Sequence, residues 1–134
     1  MSHVVVPVRY PLTTHSKNTL GKAIEIARER DAQLTVLHVD LYHDSHHVTR
    51  SELKRSVESA FDVPEKVRYA VRKAFLVEET ILEEVASENA DVVVIGHKQA
   101  GRWRRMIRKL VDDPDVESYL RQRVDCELVT VRAN

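Results

Sequence analysis

The sequence predicts an α/β domain, a parallel sheet covered on both faces by helices. Three observations predict it. Apolar, mostly β-branched runs recur at Val4–Val8, Leu34–Val39 and Asp91–Gly96, and such runs read as strands buried on both faces. Between them lie segments whose apolar residues recur at helical spacing. The two kinds of segment alternate from one end of the chain to the other, which is the pattern of parallel strands joined by helical crossovers.

The elements follow in order. Val4-Val5-Val6-Pro7-Val8 is the first strand, and a Pro-Leu-Thr-Thr loop follows it. Ser16 reads as the N-cap of a helix whose core stripe is Leu20, Ala23, Ile24 and Ala27. Leu34–Val39 is the second strand. Thr49 and Glu52 have the spacing of a capping box, and Leu53, Val57, Ala60 and Phe61 form the stripe of the helix they open. Pro64 marks its end. From Lys66 to Phe75 the pattern alternates, with Val67, Tyr69, Val71 and Phe75 on one face and Lys66, Arg68 and Arg72 on the other. That is a half-exposed strand at or near an edge. Ile81, Leu82, Val85 and Ala86 line the next helix, Glu83 and Glu84 fall on its wet face, and Asn89 closes it. Asp91–Gly96 is the fourth strand. Gly101 opens a basic segment that runs to Lys109. Within it Trp103, Met106, Ile107 and Leu110 form a short amphipathic stripe, with Trp103 as a packing anchor. Asp113 and Pro114 have the order of an N-cap and a first helical residue. Val116, Tyr119 and Leu120 line the last helix. Leu128–Val131 is the last strand.

Composition narrows the function classes. The 134 residues suit one domain, taken as 1–134. Lys plus Arg is 21 and Asp plus Glu is 21, so no global field draws in nucleic acid or anionic lipid. The basic stretch Lys98–Lys109 reads as a solvated face paired with Asp112, Asp113, Asp115 and Glu117. Cys126 is the single cysteine, so an intrachain disulfide is excluded, and a small core cysteine in a reducing compartment is expected. The start lacks the charged and apolar regions of a signal peptide, and no apolar run approaches the ~20 residues of a membrane span. A cytoplasmic protein is expected.

Catalysis finds no motif. There is no G-x-S-x-G elbow, and Cys126 opens a buried strand. His43, Asp44, His46 and His47 crowd one loop, but nothing completes a metal-ligand set. A receiver domain needs an acidic pair where Arg9-Tyr10 stands and an aspartate where Phe75-Leu76 stands. An H-x-G-H turn and a Ser/Thr/Gly-rich phosphate loop after the first strand are also missing, which excludes a nucleotidyltransferase and a flavodoxin-like carrier.

The residues carrying a family resemblance lie mostly in the second half: Ile81-Leu82-Glu83-Glu84-Val85-Ala86, then Ala90–Gly96, a turn with Gly and Arg, and Val124–Val131. With the Val-rich first strand, a serine before the first helix and Leu37-His38-Val39, the chain resembles the universal stress protein family over essentially its whole length. The resemblance implies five parallel strands in the order 3-2-1-4-5. It also implies a homodimer through the last strand, here Glu127, Leu128, Val129, Thr130 and Val131, and a role in stress tolerance. Some members bind ATP, through G-x-x-G, nine residues, then Gly followed by Ser or Thr.

The candidate nucleotide or anion site lies at the switch point of the sheet: Val8, Arg9, Val39, Gly96, His97, Lys98, Gly101 and Arg102, with His38 near by. Gly96 fits the family's first glycine. Gln99 stands at the second, Lys109-Leu110 or Asp112-Asp113 at the last pair, and Arg9 where the family carries a nucleotide-contacting aspartate. Carboxylates at that place repel a triphosphate. The reading is therefore a binding or signalling homodimer with an unidentified protein partner and no required cofactor, with enzymatic activity left open. The alternative is an ATP- or AMP-binding member with weak ATPase activity. Arg9, Lys98 and Arg102 also suit a monophosphate or a cyclic nucleotide.

Overall fold

A computed structural model describes residues 2–43, 47–111 and 126–132, with backbone alone at 110 and 111. The element order is β1 (His3–Pro7), α1 (Thr14–Glu29), β2 (Gln33–Leu41), α2 (Arg50–Ala60), β3 (Val67–Ala74), α3 (Val77–Ser87), β4 (Val92–Gly96), α4 (His97–Val111) and β5 (Glu127–Val131). The strands form one parallel sheet in the order β3-β2-β1-β4-β5. The expected order holds.

The period of two sorts the sheet's side chains into two cores. Val4, Val6, Leu34, Val36, Val92 and Val94 face α1 and α2, and meet Leu20, Ala23, Leu53 and Val57. Val5, Leu37, Val93 and Ile95 face α3 and α4, and meet Ile81, Leu82, Val85 and Trp103. β1 and β4 are buried along their full length, which is why they read as unbroken apolar runs.

Several local expectations change. Thr13, not Ser16, caps α1: its hydroxyl accepts from the Ser16 N–H at 3.0 Å. The Ser16 hydroxyl instead accepts from the Arg9 N–H at 3.1 Å, tying the end of β1 to the start of α1. The Thr49–Glu52 capping box is present, but α2 stops at Ala60, which is exposed, and Phe61 is half-buried at the C-cap. Asn89 has a φ of 56°, the left-handed residue just past α3. Phe75 lies past the end of β3 and is exposed, not on its buried face. Cys126 is half-buried, just ahead of β5. The segment after Gly96 is not a turn: α4 runs unbroken from His97, because Ala100 extends the Trp103 stripe back by one turn. Gly101 thus sits inside a helix. Asp112, Asp113, Pro114, Asp115, Val116, Glu117, Tyr119 and Leu120 lie outside the described residues, as do Asp44 and His46.

Glu84 is also not on a wet face. It is buried, and Arg72 of β3 holds both its carboxylate oxygens at 2.8 and 3.2 Å. Beside it Glu88 takes Arg68 at 2.9 Å and the Thr35 hydroxyl at 2.9 Å, and the same Thr35 oxygen lies 2.8 Å from His3 Nε2. Strand residues that read as solvated cations therefore clamp α3 to the sheet.

Candidate functional site

Crossovers from β1 and β4 leave toward opposite faces, so the carboxyl ends of these neighbouring strands open a crevice. Its volume is about 950 Å³. Each strand contributes to it where it ends: Val8 and Arg9 after β1, His38, Val39 and Leu41 on β2, Phe75 and Leu76 after β3, Gly96 on β4, and Arg132 after β5. The first turns of α1, α3 and α4 complete the wall with Thr13, His15, Ser16, Thr19, Val77, Glu78, His97, Lys98, Gln99 and Arg102.

Strand order divides the crevice in two. Over β2 and β3 the wall is mostly apolar, with Val39, Leu41, Phe75, Leu76 and Val77. Over β1, β4 and β5 it carries Arg9, Lys98, Arg102 and Arg132. Arg102 pairs with Glu78 across the mouth at 3.2 Å, which links α4 to α3. Arg9, Lys98 and Arg132 are exposed and make no ion pair among the described residues. α4 starts directly on β4, so its first-turn N–H groups, which have no acceptor within the helix, open on the same half. Three free cations and a helix N-terminus together favour an anion there.

Two histidines shape the floor. His38 donates its Nδ1–H to the Val8 carbonyl at 3.0 Å, and its Nε2 lies 3.0 Å from Asp40 Oδ1. Asp40 is buried and accepts from the Val48 N–H at 2.9 Å through its other oxygen. This chain of contacts fixes the end of β2 against the end of β1. His15 packs on Gly96 so closely that a Cβ at 96 would stand 2.1 Å from its Nε2. The His15 Nδ1 is buried without a hydrogen-bond partner among the described residues. Any side chain at 96 must therefore displace the His15 imidazole.

The universal stress protein family model matches residues 1–132. The chain belongs to the universal stress protein family. A search among curated proteins finds no match. Among solved structures, the chain is similar to UspA, the universal stress protein from Lactobacillus plantarum, at 17% identity and a TM-score of 0.59, over 98% of this chain and 97% of that one. It is also similar to the Archaeoglobus fulgidus universal stress protein in complex with dAMP, at 14% identity and a TM-score of 0.59, over 97% of each. A third, a universal stress protein in complex with cAMP, gives 12% and 0.58, again over 97% of each. These likenesses establish the fold.

Of the eight residues expected at the site of this universal stress protein, seven line the crevice. Gly101 does not; it lies one turn inside α4. The reading missed the Thr13–Thr19 wall, Arg132 and the rim at Leu76–Glu78. Spacing from Gly96 carries no information on them, because they arrive from other strands and helices. His15 had one local signal, its place in the first turn after the β1 loop. Among the described residues no cluster of acids, histidines or cysteine has the arrangement of a metal site, His43 and His47 included, and no helix is long and apolar enough to cross a membrane.

Proposed function

We propose that this universal stress protein is a cytoplasmic binding and signalling protein whose crevice takes an adenine nucleotide with a single phosphate, open or cyclic, in preference to ATP. The observation that carries the reading is the division of the crevice into a cationic half at the start of α4 and an apolar half over β2 and β3. An anionic group beside Arg9, Lys98 and Arg132 gains charge-assisted hydrogen bonds, and a base gains from the apolar half. The solved family structures that hold cAMP and dAMP support a ligand of this size. Against a triphosphate stands the helical course of 97–111: Gln99 occupies the second-glycine place, and the helix leaves no glycine-rich loop between Gly96 and Val111 to wrap further phosphates. Output as a homodimer, through the β5 edge and toward a protein partner, completes the proposal. No enzymatic turnover is part of it.

The test is a melting series with AMP, cAMP, ADP and ATP, with and without magnesium. A ligand at a hundred times its Kd stabilises by about 2.7 kcal/mol, which moves the midpoint by several degrees. AMP or cAMP is expected to do this, and ATP to do less. An ATP shift as large as that of AMP would replace this reading with ATP binding and reopen weak ATPase activity. No shift with any nucleotide leaves an interaction dimer without a nucleotide.

A further inference from the structure

Among the described residues, the large apolar side chains left exposed are Tyr42, Phe75 and Leu76, at 52%, 74% and 59%. They are not scattered. All three follow the carboxyl ends of β2 and β3, and Phe75 and Leu76 line the crevice. The rings of Tyr42 and Phe75 are in contact, with centroids 4.6 Å apart and planes at 44°. The Tyr42 N–H bonds the Ala74 carbonyl at 3.0 Å, so the two loops that carry the rings are held together at their roots. Isolated exposed apolar residues need no explanation, whereas a cluster on the rim of a crevice marks a contact surface.

We infer that Phe75, backed by Tyr42 and flanked by Leu76, is the specificity determinant of the crevice, selecting anions that carry a flat ring over anions that do not. This rests on the mononucleotide reading above and names how that site discriminates. The rim is two strand spacings from β1 and three from β4, or roughly 10–14 Å at about 4.8 Å each. Arg9 and the start of α4 mark the anion-binding end of that span, so one mononucleotide reaches from its phosphate to its base. Every nucleobase has a π-face, and an aromatic ring more than half exposed in the free protein loses water-facing area when a base covers it. The rim thus reads the ring, and the cationic half reads the charge.

The experiment titrates the full chain with AMP and with ribose 5-phosphate, which shares the phosphate and sugar but lacks the base. The unmodified protein should bind AMP more tightly than ribose 5-phosphate. Phe75→Ala should weaken AMP at least about fivefold, the lower end of a lost base–aromatic contact, and leave ribose 5-phosphate unchanged. Phe75→Leu, which keeps an apolar side chain without the ring, should lie between. Phe75 is exposed, so neither variant threatens the fold, and unchanged melting midpoints check this. Equal binding of the two probes by the unmodified protein, or a parallel loss of both in Phe75→Ala, overturns the rim reading and leaves the anion site standing. Binding of neither probe by the unmodified protein removes the site reading and the rim reading together.

Discussion

Glu84, on α3, and Glu88, at its C-cap, stand one helical turn apart, each beside an arginine of β3. Burial and then the bond to Glu84 push Glu88 up to about 7, from an ordinary 4.5. Burial also raises Glu84, but its bonds to Arg72 and Glu88 outweigh this and hold it below the ordinary value. A raised carboxyl contributes stability that is complete below the unfolded value and lost as pH rises through the folded one. Glu88 therefore stabilises the protein below about pH 4.5 and loses that contribution up to and through about pH 7. Burial lowers His3, which acts in the opposite sense and withdraws stability as pH falls below 6.5. The melting midpoint of Glu88→Gln, which keeps a donor toward Glu84 and cannot ionise, should fall less between pH 6 and 8 than that of the unmodified protein. Equal slopes would show that the pair holds no shared proton. A second residue-scale test concerns Gly96. Alanine there must displace the His15 ring, at a cost of about 1 kcal/mol for overpacking a movable side chain. In a His15→Ala background the same substitution should be nearly neutral in urea unfolding, and a full cost in both backgrounds would mean that the strain lies in the backbone.

At the scale of the element, the boundaries that were legible are those written in local chemistry. The Thr49–Glu52 box sets the start of α2, with Glu52 N–H to Thr49 Oγ1 at 3.1 Å and the return bond also at 3.1 Å. Thr49→Ala should cost about 1 kcal/mol by chemical denaturation, and no loss would mean that packing of Leu53 and Val57 alone places the helix. Buried strands were legible because both faces of β1 and β4 are apolar. Boundaries set by tertiary partners were not. Ser16 has the chemistry of a cap, but the Arg9 N–H takes its hydroxyl and Thr13 supplies the cap instead. Glu84 lies on the charged side of its helix in the sequence pattern, yet Arg72 arrives from β3, twelve residues earlier. The sequence pattern reads α4 as a turn followed by a short stripe, since Gly96 and Gly101 punctuate it; burial of Ala100 and Trp103 against Val5, Val93 and Ile95 overrides the glycine. The same limit governs the site. Gly96, His97, Lys98 and Arg102 follow from a single strand end, whereas His15, Phe75 and Arg132 meet them only after the sheet is assembled in its order.

At the scale of the molecule, the sheet has two edges of different character. The β3 edge carries Arg68, Arg72 and Lys73, all exposed, and charge on an edge discourages pairing with another chain. The β5 edge carries Leu128, Val129, Thr130 and Val131, all half-buried, with Glu127 drawn away into a pair with Arg30 at 2.9 Å. The proposed homodimer therefore uses β5, and the ladder says which amides are available. The Glu127 N–H bonds the Asp91 carbonyl at 2.9 Å. In a parallel ladder alternate residues bond the same neighbour, so Leu128 and Thr130 direct their N–H groups away from β4. Proline at 130 removes one outward donor and none of the bonds to β4, and an edge strand tolerates proline where the lost N–H faces away from the sheet. Sedimentation at micromolar concentration should find the unmodified protein and Thr130→Ala as dimers and Thr130→Pro as a folded monomer. A monomeric unmodified protein would end the dimer proposal. A dimeric Thr130→Pro would move the interface from the strand edge to the side chains of β5 and the surface around them.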